Sequence, residues 1–262
     1  MARRTVSRLP LAAALLAAAA ALAPAARAEE AKVLPTVDPR AVEMVKAMGA
    51  ALSAAKHFSV HAEITWDEVM HSGRKLNFAA ATDVTGRRPD GLAVEYLSDL
   101  GGKKLWYDGK SFTLLDLVKD VHATAPAPPT TSAFLAEVEA KQGVSFPLGD
   151  FLAEDPASRL LAGVRTGFVV GPGDVDGATC THLAFSNEVL DWQIWIDAGE
   201  KPLPCKVVIT YRQRPSKPQF AAVFSEWEFP RSISDEKFAP DLPEDSHAVD
   251  FVSAHNAPEE MP

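Results

Sequence analysis

Residues 38–56 place apolar side chains at helical spacing, and from residue 58 onward apolar and polar positions alternate strictly, which predicts strands. Asp38 and Pro39 form an N-cap and first-turn pair, after which Val42, Val45, Met48, Leu52 and Ala55 share one helical face as far as Lys56. In the first strand Phe58, Val60, Ala62, Ile64 and Trp66 point one way and His57, Ser59, His61, Glu63, Thr65 and Asp67 the other. Leu76, Phe78 and Ala80 resume the alternation after the turn at Ser72-Gly73, and Leu92, Val94 and Tyr96 do so after Arg88-Pro89-Asp90-Gly91. Strands are also expected at 104–107, 111–116 and 120–124, the first two joined by an Asp108-Gly109 turn. Short strands at this spacing describe an antiparallel meander.

The middle of the chain breaks the pattern. Ala125-Pro126-Ala127-Pro128-Pro129 is a stiff connection, and Thr131 or Ser132 then caps a helix over 132–141 that carries Phe134, Leu135 and Val138. A second helix, 156–162, follows Asp155-Pro156, carries Leu160 and Leu161 and stops at Gly163. A second set of strands is expected at 167–170, 179–186, 191–197, 206–212 and 219–228. Between its first two members, Gly171-Pro172-Gly173-Asp174-Val175-Asp176-Gly177 reads as a hairpin connection. A dinucleotide loop would need a helix after it, and a calcium loop further oxygen ligands and a closing glutamate.

The first 28 residues change the picture of where the protein works. Arg3, Arg4 and Arg8 precede an Ala/Leu run that ends at Ala26-Arg27-Ala28, the pattern of a cleaved secretory signal peptide. The expected organisation is a signal over 1–28, a flexible mature N-terminus over 29–37, one domain over 38–252 and a flexible tail over 253–262. No cysteine lies near the cut, so a soluble exported protein without a lipid anchor and without an integral membrane segment is expected. Loss of the four signal arginines takes the formal charge from −9 to −13. That surface disfavours nucleic acid and, for the same reason, an anionic membrane surface.

Candidate chemistry is sparse. Cys180 and Cys205, the two cysteines of the chain, are either a disulfide of an oxidising compartment or two half-buried thiols. Against the disulfide, they fall on the first and third strands of a meander, two spacings of ~4.8 Å apart, unless a bend intervenes. His57 and His61 share a strand face but stand ~13 Å apart, too far for one metal ion. His182 and Cys180 share a face and could form an activated thiol, with no third orienting group evident. No GxSxG, HExxH or Walker lysine occurs, and no catalytic residue, metal site or cofactor is assigned. The expectation is that the protein is not an enzyme.

Several stretches resemble a known group. Arg88-Pro89-Asp90, Trp106-Tyr107-Asp108-Gly109-Lys110-Ser111-Phe112-Thr113-Leu114, Phe146-Pro147-Leu148-Gly149-Asp150 and Val175-Asp176-Gly177 are similar to LolA-like periplasmic proteins, the lipoprotein carriers and their relatives. Cys180-Thr181-His182-Leu183-Ala184-Phe185, Asp191-Trp192-Gln193-Ile194-Trp195-Ile196 and Pro202-Leu203-Pro204-Cys205-Lys206-Val207-Val208-Ile209-Thr210 extend the match. Within that group the chain resembles an uncharacterised family of predicted periplasmic proteins. The resemblance implies a mainly β fold with some helix, a curved antiparallel sheet forming an unclosed half-barrel whose concave face is covered by helices around an apolar cavity.

On that architecture Phe58, Val60, Ile64, Trp66, Leu76, Phe78, Val94 and Tyr96 are either core or ligand lining. Trp192 and Trp195 fall on opposite faces of one strand. One must be core, and the other would meet a ligand or a lid helix; both are carried as candidate lining. Phe134, Leu135, Val138, Leu160 and Leu161 would form the lid. The expected function is a periplasmic carrier or binding protein for a hydrophobic small molecule, a lipid or an acylated protein. The alternative is an interaction or envelope-sensing module with a filled core, whose partner is another envelope protein.

Overall fold

The structure is a computed structural model that describes residues 37–142 and 148–251. The expected signal, residues 29–36, the expected tail and the Phe146-Pro147 stretch lie outside the described residues.

Asp38 opens α1 (Pro39–Ala54), its carboxylate accepting from the Arg40 backbone N–H at 2.9 Å. Ala41, Val45, Met48, Gly49 and Leu52 form its buried face. The first meander comprises β1 (His57–Val69), β2 (Lys75–Arg87), β3 (Gly91–Ser98), β4 (Gly101–Tyr107), β5 (Ser111–Asp116) and β6 (Val121–Pro126). Then come α2 (Thr131–Gln142), a short α3 (Gly149–Leu152) that the sequence pattern does not reveal, and α4 (Pro156–Leu161). The second meander is β7 (Thr166–Val175), β8 (Ala178–Ser186), β9 (Leu190–Asp197), β10 (Pro204–Tyr211) and β11 (Gln219–Glu228). A 3-10 turn over Asp235–Phe238 and a two-residue β12 (His247–Ala248) close the described chain.

All twelve strands form one sheet in the order β12-β6-β5-β4-β3-β2-β1-β11-β10-β9-β8-β7, in which β1 and β11 join the two meanders side by side. Because side chains alternate across a strand, one face carries a continuous apolar surface. The sheet is not closed into a barrel. Helices α1 to α4 contribute to the same buried cluster as this face, which we term concave. After β11 the chain crosses the opposite face, where Phe238 packs with Ala93, Trp106 and Leu115, and β12 then pairs parallel with β6.

Two sequence expectations need correction. The glycine-rich stretch is mostly strand: β7 runs on to Val175, with a register shift at Gly171, and the turn is Asp176-Gly177 alone. Both turn residues have positive φ, 49° and 84°, as a two-residue hairpin of this kind demands. Pro172 is tolerated because β7 is an edge strand and its missing N–H leaves no ladder bond unmade. The geometric objection to a disulfide also fails, since Cys180 and Cys205 are bonded with Cα atoms 7.0 Å apart. Cys180 lies opposite Asp197, the last residue of β9, and a register shift between Pro204 and Lys206 places Cys205 in a bulge. That bulge is the bend the sequence could not show.

Candidate functional site

The concave face is built from cross-strand rows. Phe185, Trp192, Ile209, Phe220, Trp66 and Phe78 are paired in succession from β8 to β2 and form one row, mostly aromatic. Beside it runs an aliphatic row of Leu183, Ile194, Val207, Ala222, Ile64 and Ala80. Towards the other end of the first meander, Phe58, Gly86, Leu92, Tyr107 and Phe112 align in the same way.

Exposure is graded along these rows. Tyr107, Phe134, Val45, Met48, Leu183 and Ile194 have no accessible surface (0%), so no water-sized void borders them, and the helix–sheet interface is packed there. Phe134 of α2 lies flat on Tyr107, centroids 4.4 Å apart, and against Phe112 at 5.1 Å. The Tyr107 hydroxyl donates to the Pro128 carbonyl at 2.6 Å. Burial first, then the nearby Asp90 and Asp108 carboxylates, pushes this phenol up to about 12. By contrast Trp66, Phe78, Ile209 and Tyr96 are only half-buried. Trp66 and Phe78 stack at 5.7 Å at the open end of the aromatic row.

The helical cover is tethered at Arg88-Pro89. The Arg88 guanidinium donates to the carbonyls of Leu152 and Ala153, both at 2.7 Å, and to that of Phe151 at 3.4 Å, which satisfies the end of α3. It also lies 5.5 Å over the Phe58 ring, and its Nε is buried without a partner. Burial pulls its pKa down, opposed by Glu154. The Pro89 carbonyl accepts from the Thr131 backbone N–H and hydroxyl, which fixes the start of α2. Gly49 of α1 meets Ala157 of α4 so closely that a Cβ on Gly49 would stand 2.7 Å from that of Ala157.

Most of the candidate lining lies on this face. Phe58, Val60 and Ile64 are buried, Trp66, Phe78, Val94 and Tyr96 half-buried, and Leu76 is exposed near the tip of the β1–β2 hairpin. Trp192 is buried and stacked on Phe185 at 4.2 Å. Trp195 is on the opposite face, stacked on His182 at 3.9 Å with Lys206 over its ring, so it meets neither the concave surface nor a lid helix. Phe134, Leu135 and Val138 are buried under the cover, with Leu160 and Leu161 half-buried beside them. Sequence reading leaves Phe185, Ile209 and Phe220 unassigned, although their alternation is visible, and it misses the role of α1 as a main part of the cover.

The activated-thiol constellation does not form. Cys180 is in the disulfide, and His182 bonds Gln193 Oε1 at 3.0 Å. Burial first, with Lys206 also contributing, lowers the His182 pKa. The His61 ring is held by Asp83 at 2.8 Å and Glu63 at 3.2 Å. Three surface clefts of about 250, 420 and 380 Å³ open beside Trp106 on the convex face, between two hairpin tips and beside the disulfide. None of these three lies between the helices and the sheet.

A single open sheet with a continuous apolar concave face under short helices is an unclosed half-barrel. The chain belongs to the predicted periplasmic protein family DUF2092, whose model matches residues 41–252, and it is a periplasmic protein. No curated protein matches it. Among solved structures it is similar to an uncharacterized conserved protein from Thermus thermophilus, at 10% identity over 81% of this chain and 99% of that one, TM-score 0.48. It is also similar to the lipoprotein LppX of Mycobacterium tuberculosis, at 15% identity over 75% and 100%, TM-score 0.47. A LolA superfamily protein from Nitrosomonas europaea matches at 10% identity over 77% and 98%, TM-score 0.38. At these identities the likeness concerns the fold alone.

Proposed function

We propose that this periplasmic protein binds the hydrocarbon chain of a lipid or acylated protein against the open half of its concave face. The observation that carries the reading is the aromatic row, which is sealed at Phe185 and Trp192 and half-uncovered at Trp66 and Phe78. An apolar chain laid along that row would gain ~0.8 kcal/mol per buried methylene, so affinity needs no charged anchor and no catalytic group. Helix α1, which packs on β7 and α4, would hold the sealed end in place while the open end admits the chain.

The packed helix–sheet interface favours a second reading, an interaction module whose core is already full. Native mass spectrometry of protein purified from the periplasm without detergent, followed by uptake of a fluorescent fatty acid, separates the two. The first reading expects a stoichiometric lipid or fatty-acid uptake, lost in Trp66→Glu and Phe78→Glu variants that keep the wild-type circular dichroism. Uptake unchanged in both variants refutes the lining assignment. Protein that carries nothing and takes up nothing favours the interaction module.

A further inference from the structure

Exposed apolar side chains are normally scattered and need no explanation. Here they are not scattered. Of the eight large hydrophobic side chains exposed among the described residues, Met70, Leu76, Leu97, Leu100, Val118 and Val189 sit at one end of the sheet, on or beside the turns β1–β2, β3–β4, β5–β6 and β8–β9. Leu100 and Val118 are the most open, 64% and 65% exposed.

These turns form one rim knit together by contacts. Gln213 of the β10–β11 turn donates to the Glu188 carbonyl, and Ser216 of the same turn donates to the Gly73 carbonyl at 3.2 Å. The Asp99 carboxylate accepts from the Ala79 N–H at 2.7 Å, and Val118 covers Gly101. The β1–β2 hairpin stands out from this rim on its β3 side, because β3 stops at Ser98 opposite Ala80 while β2 continues through Lys75–Ala79, about 16 Å of strand. The open end of the aromatic row, Trp66 and Phe78, borders the same rim.

Charge distinguishes the centre of the rim from the rest of the molecule. On the two adjacent tips, residues 67–75 and 211–219, Arg74, Arg214 and Lys217 have no ion-pair partner among the described residues, against Glu68 as the unpaired acid. Unpaired cations beside an exposed methionine, in a chain of net charge −9, are complementary to an anionic, interfacially apolar surface. Repulsion from the acidic remainder is damped beyond a Debye length of about 8 Å, so the tips act locally.

We propose that this rim docks on anionic phospholipid, with Met70, Leu100 and Val118 entering the headgroup region and Arg74, Arg214 and Lys217 meeting lipid phosphates. The docking surface goes beyond the proposed function and does not require the concave face to hold a ligand. The test is flotation of the exported protein with vesicles of phosphatidylethanolamine and phosphatidylglycerol, and in parallel with phosphatidylcholine vesicles. Co-flotation is expected with the anionic vesicles only, falling about fivefold for each cation removed and also on addition of salt. An Arg214→Glu/Lys217→Glu variant and a Met70→Glu variant should each lose it while melting at the wild-type temperature and retaining whatever fatty-acid uptake wild type shows in solution. Equal recovery with phosphatidylcholine, no recovery with anionic vesicles, or recovery that survives both variants overturns the proposal. Absent flotation with a photo-crosslink from position 100 to an envelope protein would assign the rim to a protein partner.

Discussion

Breaking the Cys180–Cys205 bond should lower global stability by about 3 kcal/mol. The cysteines are 25 residues apart, and closing a loop of that length in the unfolded chain corresponds to ~3.5 kcal/mol on the chain-entropy relation. Relaxation of the Pro204/Lys206 bulge in the reduced protein offsets a fraction of this, because the bond draws β8 and β10 together across the end of β9. Both cysteines are buried among Val175, Ala178, Trp195 and Val223, so reductant should reach the bond slowly in the folded state and quickly in urea. The assay is urea unfolding followed by tryptophan fluorescence, comparing oxidised wild type with Cys180→Ser/Cys205→Ser. With a slope of about 3 kcal/mol per molar urea, the midpoint should fall by about 1 M. Thiol titration supplies the control: none in the native oxidised protein and two after reduction in denaturant. Coincident midpoints, with the thiol count confirming the bond in wild type, would refute the entropic reasoning.

Three further substitutions probe the cover and the outer face. Arg88→Met removes two short charge-assisted bonds to the end of α3 but also removes a buried guanidinium with an unpartnered Nε, so a net loss of about 2 kcal/mol is expected. Increased hydrogen exchange at residues 149–153 should accompany it, and Arg88→Lys should rescue little because an ammonium cannot reproduce the fork; an unchanged midpoint and exchange pattern would contradict the tether. Gly49→Ala gains about 1 kcal/mol of helix propensity, yet its Cβ would stand 2.7 Å from the Ala157 Cβ and 2.8 Å from the Ala157 backbone N, so the expected outcome is a lower melting temperature, which adding Ala157→Gly does not restore because the backbone contact remains. A stabilised single variant would show that α1 and α4 are not in register there. His61 is raised above the ordinary imidazole value by its hydrogen bonds to Asp83 and then Glu63, so its protonated form stabilises the fold. That contribution is full below about pH 6.5 and disappears as pH rises through the raised folded value. The stability difference between wild type and His61→Gln should therefore hold steady below about pH 6.5 and shrink as pH rises above it, and a difference that grows with rising pH would reverse the assignment.

One-sided strands are the legible part of the sequence. Phe58–Trp66 alternates cleanly because one face is buried by the cover and the other turns outward, whereas Phe220–Phe224 is apolar throughout and alternates only in burial; the expected bounds of β11 match the observed strand. The illegible features are those decided by groups distant in sequence. Gly171, Pro172 and Gly173 read as breakers that would end β7 at Val170, yet an edge strand with a bulge accommodates all three. Arg88 looks like part of a turn, since its partners Leu152 and Ala153 lie 64 and 65 residues away. Alternation puts Trp192 and Trp195 on opposite faces correctly but cannot say which face the helices cover; the Phe185 stack and the His182 stack make that choice. The Phe238 segment has no period at all, and its packing on Trp106 follows from the path from β11 to β6 across the outer face.

Why the concave face should be sealed at one end and open at the other follows from size. Twelve strands expose a wider apolar surface than α1 and three shorter helices cover, and the helices are spent where the rows hold Leu183, Ile194 and Tyr107. Leaving Trp66 and Phe78 half-wet forgoes burial energy of order 1 kcal/mol per ring, a cost that a fold selected for stability alone would remove by substituting a polar residue at either position. Trp66→Gln/Phe78→Gln should accordingly lower stability by about 2 kcal/mol, the half-burial the two rings retain, less than truncation of a single filled-core aromatic such as Phe134, which should cost ~3–5 kcal/mol. If the Trp66/Phe78 pair proves as costly to remove as Phe134, its burial is structural and the open end is core; a cheap loss of stability joined to lost fatty-acid uptake would mark the pair as retained for what it binds.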